Sequence, residues 1–278
     1  MWVTFKLTHV QFGSLILFFT SMRLNQVNFS KVLNDDQVYD HMMANYDLLG
    51  REWIVHQWNW MNNIYKAFND HYKYLIIISL VEKTLQFYDQ MNIKYTFDQF
   101  YSKSYLQIEK FSIKELCEKL QLPKETVRRK VLELEKLGVL KRSRKEIIID
   151  RSVFSQVKPE RQIKLTSKYI CMISEVLIKD KVYSKKLNPQ FIEDIIQKNF
   201  TICWRWFYRM QIPMIIGYHQ FFEDISTFHV WGTTAMNQAL NYENTKKKNI
   251  NSLDHDYLSF NKGILQREGS KSGISAMS

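Results

Sequence analysis

From Asn34 to Met91 apolar residues recur at helical spacing, with few breakers apart from Gly50, and the pattern predicts helices. Asn34-Asp35-Asp36 makes a good helix start, because short polar side chains accept from the free amides of a first turn. Trp53, Trp58 and Trp60 crowd the stretch that follows, and Tyr72 to Met91 reads as another helix. Asn92 to Tyr105 is a connector with a short helix around Phe97 to Tyr101. Residues 106–150 change character: short helices, a tight turn and two β-like runs replace the long periods. Beyond Lys158-Pro159 helix returns, with Leu165, Tyr169, Met172, Ile173, Val176 and Leu177 at 3.6-type spacing. Asn188-Pro189 pairs an N-cap with a proline at the first helical position, where a missing amide costs nothing. A further helix is expected to start near Pro213. After Tyr242 the chain turns polar and Lys-rich and reads as a flexible tail.

Composition supports this mainly α reading. Only 8 Gly and 4 Pro occur in 278 residues, which disfavours a Gly-rich dinucleotide-binding fold or a turn-rich β-sandwich. With 45% hydrophobic residues the chain can bury real cores. Lys and Arg outnumber acidic residues 39 to 28, and the net charge of +11 suits a polyanionic partner. Cys117, Cys171 and Cys203 lie far apart, form no metal spacing and fit a reducing cytoplasm. The longest apolar runs, Leu15 to Phe19 and Leu75 to Val81, fall far short of the roughly 20 residues a membrane helix needs. Residues 1–21 are either a poor imitation of a signal peptide or an over-extended start, with Met22 the true beginning.

The stretch Phe111 to Asp150 carries the chemistry. Ser112 followed by Glu115 is a capping-box arrangement. Ile113, Leu116, Cys117 and Leu120 give the short helix behind it one buried face. Gln121-Leu122-Pro123 makes a tight turn into a second helix, in which Val127, Val131, Leu134 and Leu137 are expected to face inward and Gly138 to end it. At about 100° per residue, Arg129 lies about 200° from Val127, nearly opposite the buried face, with Arg128 and Thr126 on the two flanks. Val139 to Lys141 and Glu146 to Asp150 read as two strands joined by Arg142-Ser143-Arg144-Lys145. Pro123 to Lys145 holds nine basic and three acidic residues, a net +6 in 23 positions. Such charge on one helix face and a hairpin tip is the footprint of phosphate contact.

The run FSIKELCEKLQLPKETVRRKVLELEKLGVLKR resembles the winged helix-turn-helix of bacterial transcription regulators of the Crp, GntR and MarR kind. The likeness lies in a short helix, a turn, TVxR in the recognition helix, LExLG at its end and a β-wing. It covers roughly residues 106–150 and implies a module for double-stranded DNA. Lys124 and Thr126 would then hold phosphates, Arg128 and Arg129 would reach the major groove, and Arg142 and Arg144 in the wing would touch backbone or minor groove. Lys130 and Lys145 complete the expected DNA-binding set. Glu125 departs from the pattern and reads best as a helix cap.

The expected fold is therefore mainly α, with helical bundle segments flanking a central winged helix-turn-helix that has a small β-hairpin wing. The boundaries read as 1–21 leader or over-extended start, 22–105 helical region, 106–157 winged helix, 158–241 helical region and 242–278 polar tail. Two weak echoes, Trp58 to Met61 with Trp204 to Phe207 and Tyr101 to Ser112 with Arg267 to Ser278, suggest a duplicated unit whose second winged helix is cut short. The stripe from Leu165 to Leu177 is either a homodimer helix or an intrachain face, and two-fold operators favour the dimer. The tryptophan and tyrosine clusters suit a core better than a ligand pocket. No nucleotide-loop, hydrolase-elbow or metal-ligand motif occurs, so neither enzyme, cofactor nor metal is expected, and no effector is indicated. The expected function is a sequence-specific, cytoplasmic transcription regulator. The alternative is a winged helix that docks proteins, as in a replication-type adaptor.

Overall fold

The computed structural model describes residues 35–143, 146–153, 158–184 and 186–247. Among the described residues the elements run α1 (Asp35–Ala44), α2 (Tyr46–Phe68), α3 (His71–Gln90), α4 (Phe97–Tyr101), β1 (Tyr105–Ile108), α5 (Ile113–Leu120), α6 (Lys124–Lys136), β2 (Leu140–Arg142) and β3 (Ile147–Asp150). A 3-10 turn (Arg151–Val153) leads on to α7 (Glu160–Lys179), α8 (Pro189–Lys198), α9 (Phe200–Phe222) and α10 (Ile225–Lys247). The architecture is mainly helical, with helices on both sides of a winged helix-turn-helix.

The spine is α3. Asn69 turns the chain with φ of 51°, and the Asp70 carboxylate caps the new helix by accepting from the amides of Tyr72 and Lys73. Leu75, Ile76, Ile77, Ile78, Leu80 and Val81 are all buried, so the apolar run belongs to a helix enclosed on nearly every side. Its neighbours are α9 and α2 in the bundle and α5, α6 and β1 in the winged helix. One hydrophobic cluster therefore runs from Trp53 and Trp60 through Ile78 to Leu116 and Val127. No helix among the described residues is long and apolar enough to cross a membrane.

The sheet has strand order β1-β3-β2, antiparallel throughout. Leu106 pairs with Ile149 and Ile108 with Ile147, and all four side chains are buried, as period-two alternation requires. The sequence signals two of these strands; β1 is the third, hidden in what reads as connector.

Several expectations are corrected. Pro213 does not start a helix but sits inside α9, where tight packing against α3 outweighs the propensity cost of about 3 kcal/mol. Tyr169, Ile173, Val176 and Leu177 are buried within the chain, where α7 meets α2 and α8, so this stripe is no free dimer face. α10 continues past Tyr242 to Lys247. Trp53, Trp60 and Trp204 are core residues; Trp204 stacks on Phe200 and Phe207 with ring centroids 5.2 and 4.4 Å away. The leader or start at 1–21, and the echo at Arg267 to Ser278, lie outside the described residues.

Candidate nucleic-acid interface

Local signals build the module one joint at a time. Ser112 accepts from the Glu115 amide at 3.1 Å while the Glu115 carboxylate accepts from the Ser112 amide at 2.6 Å, the reciprocal cap expected for α5. Gln121, with φ of 53°, turns the chain between α5 and α6, and Pro123 stands immediately before α6. Gly138 takes φ of 73°, a left-handed conformation that costs glycine little, and frees Val139 to donate to the Leu134 carbonyl. At the wing Ser143 donates its amide to the Glu146 carbonyl at 2.8 Å, closing the hairpin.

Val127, Val131 and Leu134 are fully buried and fix the rotation of α6. Leu137, expected beside them, is half exposed, because it ends the helix on a flank rather than under it. Lys124, Arg128, Arg129 and Lys136 are exposed, and Thr126 is half-buried. Arg128 lies 3.0 Å from Glu125, and Arg129 3.9 Å from Glu133. Exposed pairs of this kind are worth about 0–1 kcal/mol, so they hold the guanidinium groups near the surface yet are readily exchanged for another anion.

The flank facing the bundle is different. Lys130 reaches Asp70 at 2.5 Å and Glu133 at 3.3 Å, and Lys73 reaches Glu133 at 3.0 Å. Burial alone would lower the Lys130 pKa, but the two carboxylates override it and hold the ammonium above its ordinary value. Lys130 thus ties α6 to the start of α3. A second tie joins Gln220 of α9 to Gln121 in the turn. Of the expected site residues, Lys130 is the one whose charge is consumed internally. Its position, about 300° around the helix from Val127 and so on the buried side, was the available signal.

On the opposite flank the wing is braced. Arg142 bonds Glu135 at 2.6 Å and its guanidinium lies over the Phe111 ring at 4.8 Å, while Lys141 bonds the buried Asp150 at 2.7 Å. Lys141 and Ser152 hold the Asp150 carboxyl below its usual pKa. Arg144 and Lys145 lie outside the described residues. Among the described residues no group of three or more His, Cys, Asp or Glu side chains is placed to hold a metal ion.

A family model of the DeoR-like helix-turn-helix domain matches residues 105–149, which is β1 through β3 with both helices between them. No curated protein and no solved structure matches the chain. The segment is a winged helix-turn-helix of the type found in DNA-binding transcription regulators, and the match also takes in β1, which the motif reading left out. It covers this segment alone; the helices on either side stand outside it.

Proposed function

We propose that the chain is a sequence-specific transcription regulator that lays α6 in the major groove of duplex DNA. The observation that carries this reading is the exposure of Arg128 and Arg129 on the side of α6 turned away from the core. Arg129, and secondarily Arg128, would fork onto guanine edges, each bidentate contact contributing about 1–3 kcal/mol of discrimination. Lys124 and Thr126 at the start of the helix would meet phosphates, and Arg142, Arg144 and Lys145 would extend the contact along the wing. Lys130 orients the helix rather than touching nucleic acid. In this scheme the module at 106–157 is carried by the helical regions at 22–105 and 158–241, and the protein works in the cytoplasm. A homodimer on a two-fold operator would need a surface other than α7.

Selection of an operator from random duplexes, followed by Arg129→Ala, tests the proposal. Loss confined to the selected sequence supports base readout. Equal loss on every sequence would reduce Arg129 to a phosphate anchor.

One observation favours a second reading. Leu132 stands 44% exposed on the outward face, among the charged residues of α6. It suits a thymine methyl, but equally an apolar spot on a docked protein, so an acidic protein ligand that competes with DNA would support the adaptor reading.

A further inference from the structure

Between the sheet and the helical bundle lies a cavity of about 290 Å³, walled by α2, α3, α4, β3, the 3-10 turn and α9. Three cations, Lys103, Arg151 and Lys158, line it, and no Asp or Glu does. The rest is largely apolar or aromatic, with Ile77 and Ile78 on one side and Tyr101 and Tyr208 on another. This composition suits a small-molecule site, and the volume lies at the lower end of the range for such sites, about 300–1,000 Å³.

Arg151 is the unusual member. It is only 8% exposed, and among the described residues no carboxylate pairs with it. Its acidic neighbour Asp150 is committed to Lys141 and to Ser152. One guanidinium nitrogen, Nη1, donates to the carbonyl oxygens of Phe100 and Lys103, while Nη2 is buried with no partner. The group also lies over the Phe100 ring, 3.9 Å from its centre. Burial pushes its pKa below the ordinary value, yet a guanidinium stays charged. A buried cation without a counter-charge is costly, and a planar carboxylate is the anion its fork fits best.

We infer that this cavity binds a small carboxylate with an apolar body, held by Arg151, Lys103 and Lys158, and that its occupancy regulates the winged helix. The regulatory half rests on the DNA-binding reading. Coupling is built into the position of Arg151. Its amide donates to the Ser104 carbonyl at 2.8 Å just ahead of β1, its own backbone follows β3, and its side chain grips the end of α4. An anion that draws the guanidinium from the Phe100 carbonyl therefore acts on the root of the sheet.

The test titrates the full chain with benzoate, phenylacetate and octanoate, following heat of binding and Tm, with benzamide as the neutral control. The expected result is that a carboxylate binds and raises Tm while benzamide does not. Lys103→Gln/Lys158→Gln should weaken that binding about tenfold or more. Both ammonium groups are exposed, so this variant should keep the unliganded Tm. Arg151→Gln should abolish binding. Duplex DNA affinity should shift when the bound carboxylate is present. No binding of the three carboxylates at millimolar concentration, or equal binding by the double lysine variant, overturns the site. Failure of the carboxylates with intact DNA binding sinks this inference and spares the DNA reading. Cation-dependent carboxylate binding by a protein that never binds DNA supports the site but overturns its regulatory half.

Discussion

On the flank of α6 that meets α3, Lys130 and Asp70 pair at 2.5 Å with each side chain 14% exposed. On the outward side Arg128 and Arg129 pair with Glu125 and Glu133 at 3.0 and 3.9 Å, but the arginine side chains are 59% and 68% exposed. The residue types are alike and the spacing along the helix is alike. What differs is water. A largely buried pair cannot be traded for an outside partner without leaving a charge unpaired, whereas an exposed pair is screened and dispensable. The basic residues of the helix therefore divide into one that anchors it and several that are free to bind, a division that net charge alone does not reveal.

Acid should attack the anchored side most strongly. His71, next to Asp70, is held neutral by burial and by neighbouring His229, against the weaker pull of Asp70 and Asp224, and its pKa falls to about 4. Burial also lowers His229 to about 4 and His56 to about 3. The unfolded chain takes up these protons near pH 6.5 and the folded one does not. Their stabilising contribution is therefore full above pH 6.5 and lost as pH falls toward 4, by about 3 kcal/mol for each of His71 and His229. Urea denaturation between pH 7 and 4.5 should show a steep fall, made shallower by His229→Phe; a flat profile would contradict the burial argument.

Asp70→Ala should come next, costing about 2–4 kcal/mol, because it removes the cap of α3 and strands the Lys130 ammonium. Adding Lys130→Met should recover part of that loss, and a double-mutant cycle by urea denaturation measures how much. Strictly additive losses would show that the two charges do not depend on each other. Gly138→Ala should cost about 1 kcal/mol in the same assay, since alanine must adopt φ of 73° there although space around the site is open. Smallest of all, Arg128→Ala/Arg129→Ala should change stability by about 0.5 kcal/mol or less, because only exposed pairs are broken.

The winged helix was legible because its joints are local. The Ser112 and Glu115 cap, the turn before Pro123 and the stop at Gly138 each depend on a few adjacent residues, and each forms as expected. β1 escaped because four alternating residues, Tyr105-Leu106-Gln107-Ile108, are too short a period to outweigh the connector around them, and their pairing with β3 is distant in sequence. α9 runs through Pro213 because α3 and α9 bury each other along their lengths, a tertiary gain that no window of sequence contains. Within the candidate interface the outward placement of Arg128 and Arg129 followed from helix geometry. The engagement of Lys130 did not, since its partner Asp70 lies far back in the chain. Arg151 was hidden for the same reason: nothing beside it in sequence announces a buried, anion-free guanidinium between sheet and bundle.

The most direct test of the central claim is fluorescence-anisotropy titration of duplex DNA at about 50 and 200 mM salt, for the wild type and for Arg128→Ala/Arg129→Ala. Four phosphate contacts would weaken binding about a hundredfold over that range, and the double variant should bind more weakly at both salts while staying folded. No binding at 50 mM, or a double variant that binds as tightly as the wild type, would contradict the assignment of the outward face of α6 as the DNA reader.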